Sequence, residues 1–406
     1  MIRDVALSVV TRVVLIAAGV FTSVITARAL GVAGRGEYFY IVTLAGLATQ
    51  LGNLGLASSN TYFLAKDHSL LPRLAANSFW VSLVVGILAA CSSLIFVADQ
   101  TKLNWIEGPV WLLIIMVPAM LYGLLASNLF IGMTLISHYN LFQLGSTTFQ
   151  LVGVAIAAWM AWGVDAFLLV SALTGLMAAG ALVVMLGKLH RLTWRFDLQL
   201  FRSNLGYSGR AYVATLVGYG VSRAGVLLME RNSGIVDLGI YSVAVQFADV
   251  LMIVPATVAM VLFPDLMKGQ MELRFVRTMR ATGQIALLMA ILCVLTGFVA
   301  TWIVPILFGE AFAPSVQVLW WMLPGVFCLS LANIVSQYLA TKGIPHENVW
   351  AWLGGLAFLL ATSSYLIPRW GALGAAASLS MTYVLLAITL IMLAYRLYGI
   401  ETKATS

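Results

Sequence analysis

Charge is what this sequence has least of. Only 9% of its 406 residues are Asp, Glu, Lys or Arg, where soluble domains carry roughly 25%, and a water-soluble fold is excluded on that count. Cysteine is nearly absent as well. Cys91, Cys293 and Cys328 are far apart and each lies inside an apolar run, which excludes a disulfide framework and a cysteine metal site. Of the four histidines, His138 and His346 fall near segment ends with no second ligand at metal spacing, so no metal site is expected. There is no Walker A motif, no HExxH and no GxSxG. Nor is there a long hydrophilic loop, 99–109 being the longest on its side. Integral-membrane glycosyltransferases and polymerases need such a loop for their catalytic groups. The chain is therefore expected not to be an enzyme and to hold no cofactor.

What fills the sequence instead is apolar. Hydrophobic residues make up 62% of it and the mean hydropathy is +0.99. A membrane-crossing helix takes about 20 mainly apolar residues. Twelve such spans are read near 5–30, 37–65, 74–97, 110–132, 139–162, 165–187, 205–230, 239–267, 279–308, 316–341, 348–367 and 372–395. The first is too long for a removable signal peptide and lacks a small-residue cleavage site. Of the 22 basic residues, fourteen fall on one side, among them Lys188, Arg191, Arg195 and Arg202. Five fall on the other, Arg28, Arg35, Lys102, Arg231 and Arg369. By the positive-inside rule both termini are then cytoplasmic. The same bias accounts for most of the net charge of +7 without nucleic acid as a partner. Trp105, Trp159, Trp162, Trp302 and Trp370 come near predicted outer ends, where interfacial anchors belong.

The stretch 27–38, ARALGVAGRGEY, comes twice. Arg28, Gly31, Gly36 and Tyr38 recur at the same spacings as Arg231, Gly234, Gly239 and Tyr241, 203 residues on. His138 and Asn140 recur as His346 and Asn348, and Trp162-Gly163 as Trp370-Gly371, both at 208. Fixed-period echoes signal a repeated architecture. The chain is expected to be an all-α polytopic membrane protein with a six-helix half at 1–190, a cytoplasmic linker at 191–204 and a second six-helix half at 205–406. With six spans each, the halves run the same way through the bilayer, related by a pseudo-twofold axis along its normal.

Charges within spans are costly, so each asks for a cavity or a partner. Span one carries a polar stripe of Ser8, Arg12, Gly19, Ser23 and Thr26. Span seven carries another, Ser208, Tyr212, Thr215, Tyr219 and Arg223, while Arg210 points roughly the opposite way, close to the inner surface. Thr43, Gly46, Gln50 and Asn53 share a face of span two, and Ser242, Gln246 and Asp249 a face of span eight. These faces are expected to line a central cavity. The plainer alternatives are that the arginines snorkel or pair with neighbours and that the small polar residues join helices. Asp249, the only acid well inside a span, either binds a coupling proton or sodium ion or balances Arg223 or Arg210. Arg28 and Arg231 are expected to be structural, bonding carbonyls at helix C-termini.

The ARALG…GEY stretch, the string Leu307-Phe308-Gly309-Glu310-Ala311-Phe312 and the closing Ile367-Pro368-Arg369-Trp370-Gly371-Ala372-Leu373-Gly374 resemble the polysaccharide (O-antigen-type) flippases. That family belongs to the superfamily that also holds the MATE drug exporters and the lipid II flippase. Where it often has Pro-Glu, this chain reads Val32-Ala33. The resemblance implies a MATE-like fold and a cargo of oligosaccharide joined to an undecaprenyl-type lipid through pyrophosphate. The cargo would be flipped across a bacterial inner membrane by alternating access, alongside other polysaccharide-assembly proteins. Arg12, Arg223 and Arg210 would then hold the pyrophosphate, since guanidinium groups suit phosphate. The polar residues Gln50, Asn53, Tyr219 and Gln246 would face the sugars. With no nucleotide site, active transport would draw on a proton or sodium gradient or on consumption of the product. Two rivals stay open: a drug or cation exporter on the same fold, and a non-transporting scaffold of envelope synthesis.

Overall fold

The computed structural model describes residues 2–100, 109–268, 273–343 and 345–405, and the side chains of 11–97, 110–209, 212–268, 273–343 and 345–399. Lys102 and Trp105 lie outside the described residues, as do the side chains of Ser8 and Arg210. Eleven α-helices follow in order: α1 Ile2–Asn53, α2 Leu56–Lys66, α3 Leu71–Gln100, α4 Leu113–Gly132, α5 Ile136–Trp159, α6 Val164–Leu189, α7 Leu198–Asn232, α8 Ile235–Lys268, α9 Arg274–Phe308, α10 Pro314–Thr341 and α11 His346–Thr405. Among the described residues there is no strand.

Ten helices are long and apolar enough to cross a membrane, which makes the chain a multi-pass membrane protein. Two of them are at least about twice as long as the roughly 20 residues a bilayer needs. The candidate span in α1, Thr11–Asn53, has 43 residues and that in α11, His346–Gly399, has 54. At 1.5 Å per residue these are about 65 and 80 Å, against a hydrocarbon core of about 30 Å. Each is broken at one glycine with non-helical dihedrals, Gly31 at φ 66° and Gly371 at φ 53°. Glycine reaches positive φ without a Cβ clash, so the chain turns there without leaving the helical run.

The second predicted span, 37–65, is not continuous. It breaks between α1 and α2 at Leu54 and Gly55, both at positive φ. A Cβ at Gly55 would stand 2.6 Å from Ser208 Oγ. The Tyr212 hydroxyl, one turn on, donates to the Leu51 carbonyl at 2.7 Å. Gly52, Asn53 and Gly55 are turn-forming residues, so the run 52–55 carries a local signal for the break that a reading of span length passes over.

The chain divides into two compact units, Met1–Leu216 and Val217–Ser406, with the boundary inside α7. In the first unit α4 is the most internal helix and packs on α1, α2, α3 and α6. Leu64, Leu74, Phe130 and Leu182 meet in its core. In the second, α10 packs on α8, α9 and α11, with Phe275, Val335, Tyr338 and Leu390 together in the core. Small residues allow the closest approaches. The Gly325 amide donates to Ser380 Oγ at 2.7 Å, which brings the α10 backbone directly onto α11.

Candidate functional site

In the second unit, Arg223 lies on α7 and Asp249 on α8, and the two form an ion pair at 2.7 Å. Arg223 is the twelfth residue of a 21-residue candidate span, Tyr212–Asn232. Asp249 comes fifteenth in the 34-residue α8, about 22 Å along the helix. Both are therefore deep within apolar stretches. Yet the Asp249 side chain is 54% exposed, while that of Arg223 is 19%. A carboxylate cannot stand half uncovered in hydrocarbon at tolerable cost. It has to face water.

Aromatic hydroxyls enclose the pair. Tyr219, one helical turn before Arg223 on α7, is a hydrogen-bond partner of its guanidinium. Tyr241 on α8 and Tyr383 on α11 are both buried and both feel the charges of Arg223 and Asp249. These rings shield the guanidinium and leave the carboxylate the open member of the pair. The pairing is the charge-balance alternative in structural form. Gln246, three residues before Asp249, is half-buried.

Other polar residues read as cavity-lining have structural partners. Asn53 is buried, and its Oδ1 accepts from the Ala57 amide at 3.1 Å. It caps the start of α2 at the Leu54–Gly55 break. Thr43 and Ser242 are buried too, and the Ser242 hydroxyl donates to the Gly239 carbonyl. Gln50 is half-buried. The span-seven stripe divides: Ser208 is buried and Tyr212 bonds Leu51, while Tyr219 and Arg223 form the pair's surroundings.

Span one also departs from expectation. Ser23 and Thr26 are buried and both accept from Arg35, which donates to Ser23 Oγ at 2.9 Å and to Thr26 Oγ1. Arg35 was read as an outer-loop residue. It is 5% exposed, its side chain reaching back across the Gly31 break to clasp the preceding arm of α1. A long arginine offers several donors and can satisfy a helix end from the far side of a kink, which a count of loop charges cannot show. Tyr38, whose ring lies 5.9 Å from the Arg35 guanidinium, extends the network to Ser171 Oγ at 3.0 Å, and Gln150 donates to the same Ser171 oxygen at 3.1 Å.

Arg12 is exposed and lies nineteen residues before Gly31 on α1, about 28 Å along a straight helix. Ten further helical residues, from Ile2, precede it, so Arg12 lies within this arm. Arg28 and Arg231 are exposed, each three residues before a glycine of positive φ, Gly31 and Gly234. There a cation complements the helix dipole. Arg210 lies on α7, with its side chain outside the described residues. Among those residues, no cluster of His, Cys, Asp and Glu could hold a metal ion.

The profile of the family described as polysaccharide biosynthesis protein matches residues 2–270. No curated protein matches the sequence. Among solved structures, an inward-facing multidrug resistance MATE family transporter of the MOP superfamily is similar over 96% of both chains, with a TM-score of 0.77 at 10% identity. The lipid II flippase MurJ in an inward closed conformation gives 0.71 at 11% identity, over 97% of this chain and 87% of that one. A MOP superfamily transporter from Pyrococcus furiosus gives 0.66 at 12% identity, over 98% and 94%. At such identities the likeness is one of fold, and the fold is MATE-like.

Proposed function

The chain belongs to the polysaccharide biosynthesis protein family, and from that premise we propose that it is a flippase carrying a polyprenyl-pyrophosphate-linked oligosaccharide across a bacterial inner membrane. The observation that carries this reading is the mid-span pair of Arg223 and Asp249, held by tyrosines and open on the carboxylate side. A folding device would be closed, whereas here the carboxylate is open, so that an incoming anion can displace it from Arg223.

In this reading Arg223 is the principal pyrophosphate ligand. Its carboxylate partner and Tyr219 hold the guanidinium between cycles, and a phosphate oxygen takes the place of the carboxylate in the fork. Asp249 keeps the cation affordable between transport cycles, and loss of its charge on protonation strengthens the grip on the anion. Arg12, exposed on the first arm of α1, and Arg210 on α7 are the further cations for the pyrophosphate. Gln50, Tyr219 and Gln246, all partly exposed, are the polar groups left for sugar hydroxyls. The ordered turnover is alternating access, and its energy comes from a proton gradient or from consumption of the product.

Counting the two arms of α1 and of α11 as separate spans gives twelve, with both termini cytoplasmic. The echoed motifs support two equivalent halves. Gly31 and Gly234 both stand at positive φ. Tyr38 bonds Ser171 on α6, and Tyr241 lies beside Tyr383 on the second arm of α11. In each half the tyrosine of the motif thus meets the sixth span.

The test is accumulation of the lipid-linked oligosaccharide on the inner leaflet, normalised to protein in the membrane. Arg223→Ala is expected to cause it, and Arg223→Lys to cause less, since lysine keeps the charge but loses the fork. Normal transport in Arg223→Ala would overturn the reading and leave the scaffold or drug-export rivals ahead.

A further inference from the structure

Between α6 and α7, residues 190–197 run as a strap across the start of α3, and every part of it is tied down. The Asp197 amide donates to Asn77 Oδ1 at 2.8 Å and Asn77 Nδ2 returns a bond to the Asp197 carbonyl at 2.9 Å, a reciprocal pair of the kind strands make. Trp80 Nε1 donates to the Trp194 carbonyl at 2.8 Å, and the Thr193 hydroxyl to the Pro72 carbonyl. The Asp197 carboxylate takes the Leu200 amide at 2.9 Å, which starts α7, and the Nε of Arg73 at 2.6 Å. Leu192 packs into the core cluster around Leu186 and Leu71.

A flexible linker would have sufficed to join α6 to α7. This one holds its backbone and displays its side chains. Lys188, Arg191, Arg195 and Arg202 are exposed. So are Trp194 at 54%, Phe196 at 42% and Leu198 at 51%. The only acid between 188 and 202 is Asp197, and Arg73 already engages it. The outcome is a net-positive surface interleaved with large apolar side chains, placed where a candidate span ends at Leu189. Water alone gives no reason to expose three large apolar groups, and hydrocarbon would reject the four cations. The membrane–water boundary of an anionic leaflet accepts both, with aromatic rings at headgroup depth and cations among phosphates.

We propose that the strap 188–202 is a docking site for anionic phospholipid headgroups of the inner leaflet, with Asn77 and Arg73 fixing its backbone and Arg191, Arg195 and Trp194 making the contact. The claim is independent of what the protein transports. It goes beyond the topological role of these cations, which requires only that they stay on one side of the membrane and predicts no preference among lipids.

The full-length protein is purified in nanodiscs of phosphatidylcholine with one-third phosphatidylglycerol and released for native mass spectrometry, with the ratio of the two retained lipids as the readout. Each cation near an anionic surface contributes about fivefold in affinity, so Lys188→Gln/Arg191→Gln/Arg195→Gln is expected to lower the phosphatidylglycerol preference by at least about tenfold. Trp194→Ala is expected to lower retention of both lipids with little change in the ratio. The three cations are exposed, and the thermal midpoint of the triple variant in phosphatidylcholine discs is expected to match wild type, whereas Trp194→Ala also loses an edge-to-face contact with Phe79 at 5.1 Å and is compared by its lipid ratio. An unchanged ratio in the triple variant would overturn the proposal. So would tight binding of inorganic pyrophosphate to wild type but not to the triple variant in phosphatidylcholine discs, since the strap would then be a free-anion site.

Discussion

A double-mutant cycle on Arg223 and Asp249 puts a number on the central pair. The perturbations are Arg223→Gln, Asp249→Asn, both together, and the swap Arg223→Asp/Asp249→Arg. Two limits bracket the energy. Exposed ion pairs are worth about 0.2–1 kcal/mol, and removing one member of a fully buried pair costs about 3–5 kcal/mol. Here the contact is short, 2.7 Å, with one partner mostly covered and the other half open, so a coupling of about 1–2 kcal/mol is expected, between those limits. The singles are not equivalent. Asp249→Asn leaves a largely covered guanidinium with Tyr219 as its remaining partner, whereas Arg223→Gln leaves a carboxylate already facing water, so Asp249→Asn should be the more destabilising. Equilibrium unfolding in a single detergent, at matched protein and lipid, reads the stabilities, and leaflet accumulation of the lipid-linked oligosaccharide reads transport. The swap is expected to regain most of the stability. Transport regained alongside it would make Asp249 a charge balance only and remove the coupling role. Single effects that add to within about 0.3–0.5 kcal/mol would show no energetic pair at all, and the reasoning from geometry would fail.

Further outcomes follow from other parts of the fold. Reporter fusions after Lys102 and Glu310 are expected outside and those after Arg195 and Arg274 inside; two contrary results would break the twelve-span topology. Arg35→Ala removes a buried cation and its bonds to Ser23 and Thr26, a loss of about 2–3 kcal/mol for charged hydrogen bonds, and Arg35→Lys should recover little of it because lysine lacks the fork; an unchanged unfolding midpoint in Arg35→Ala would refute the clasp. Gly55→Ala must push aside Ser208 from a backbone at φ 77° and is expected to cost about 1–3 kcal/mol, read as a lower unfolding midpoint. The Leu200 amide, with Arg73, holds the Asp197 carboxyl below its usual range. A depressed carboxylate stabilises fully above its unfolded pKa of about 3.9 and loses that contribution as pH falls through the lower folded value, so the strap's share of stability should be flat from about pH 5 to 8 and fall off in stronger acid. Asp197→Asn is expected to remove that acid limb and lower the midpoint at neutral pH; an identical pH profile in the variant would count against it.

The all-helical, multi-pass character was legible because hydropathy acts on long segments. The spans, their order and the echo at 203 residues needed only composition and spacing. What stayed hidden depends on the third dimension within apolar runs. Arg35 looks like a loop charge until its length carries it back over Gly31 to Ser23 and Thr26. Asn53 reads as a cavity residue from its face alone, yet the nearest orphan amide, Ala57, claims it. Tyr241 appeared in the repeated motif, but nothing in the sequence brings Tyr383 to it from 142 residues away. Arg223 and Asp249 were singled out because intramembrane charges are rare, though which of them would be exposed was beyond any periodicity.

The echo supplies one more discrimination. At the 203-residue offset, Arg223 falls on Val20 and Asp249 on Gly46. The first unit forms its own packed α1 and α4 with neither charge, so the ion pair is not what this arrangement of helices requires. The same offset sets Arg35 against Leu238, fully buried in the second unit, so the Arg35 clasp is also confined to one half. Asymmetry alone therefore does not mark function, and exposure has to decide. Arg35 is closed off, with its donors spent on Ser23 and Thr26 on its own helix, and no cargo could reach it without opening α1. The Arg223–Asp249 pair is held by tyrosines on its inner side and open at the carboxylate. An opening of that kind costs desolvation protection and gives nothing to folding. Under the flippase reading proposed above, that opening is what lets an anion displace the carboxylate from Arg223 or a coupling ion reach Asp249.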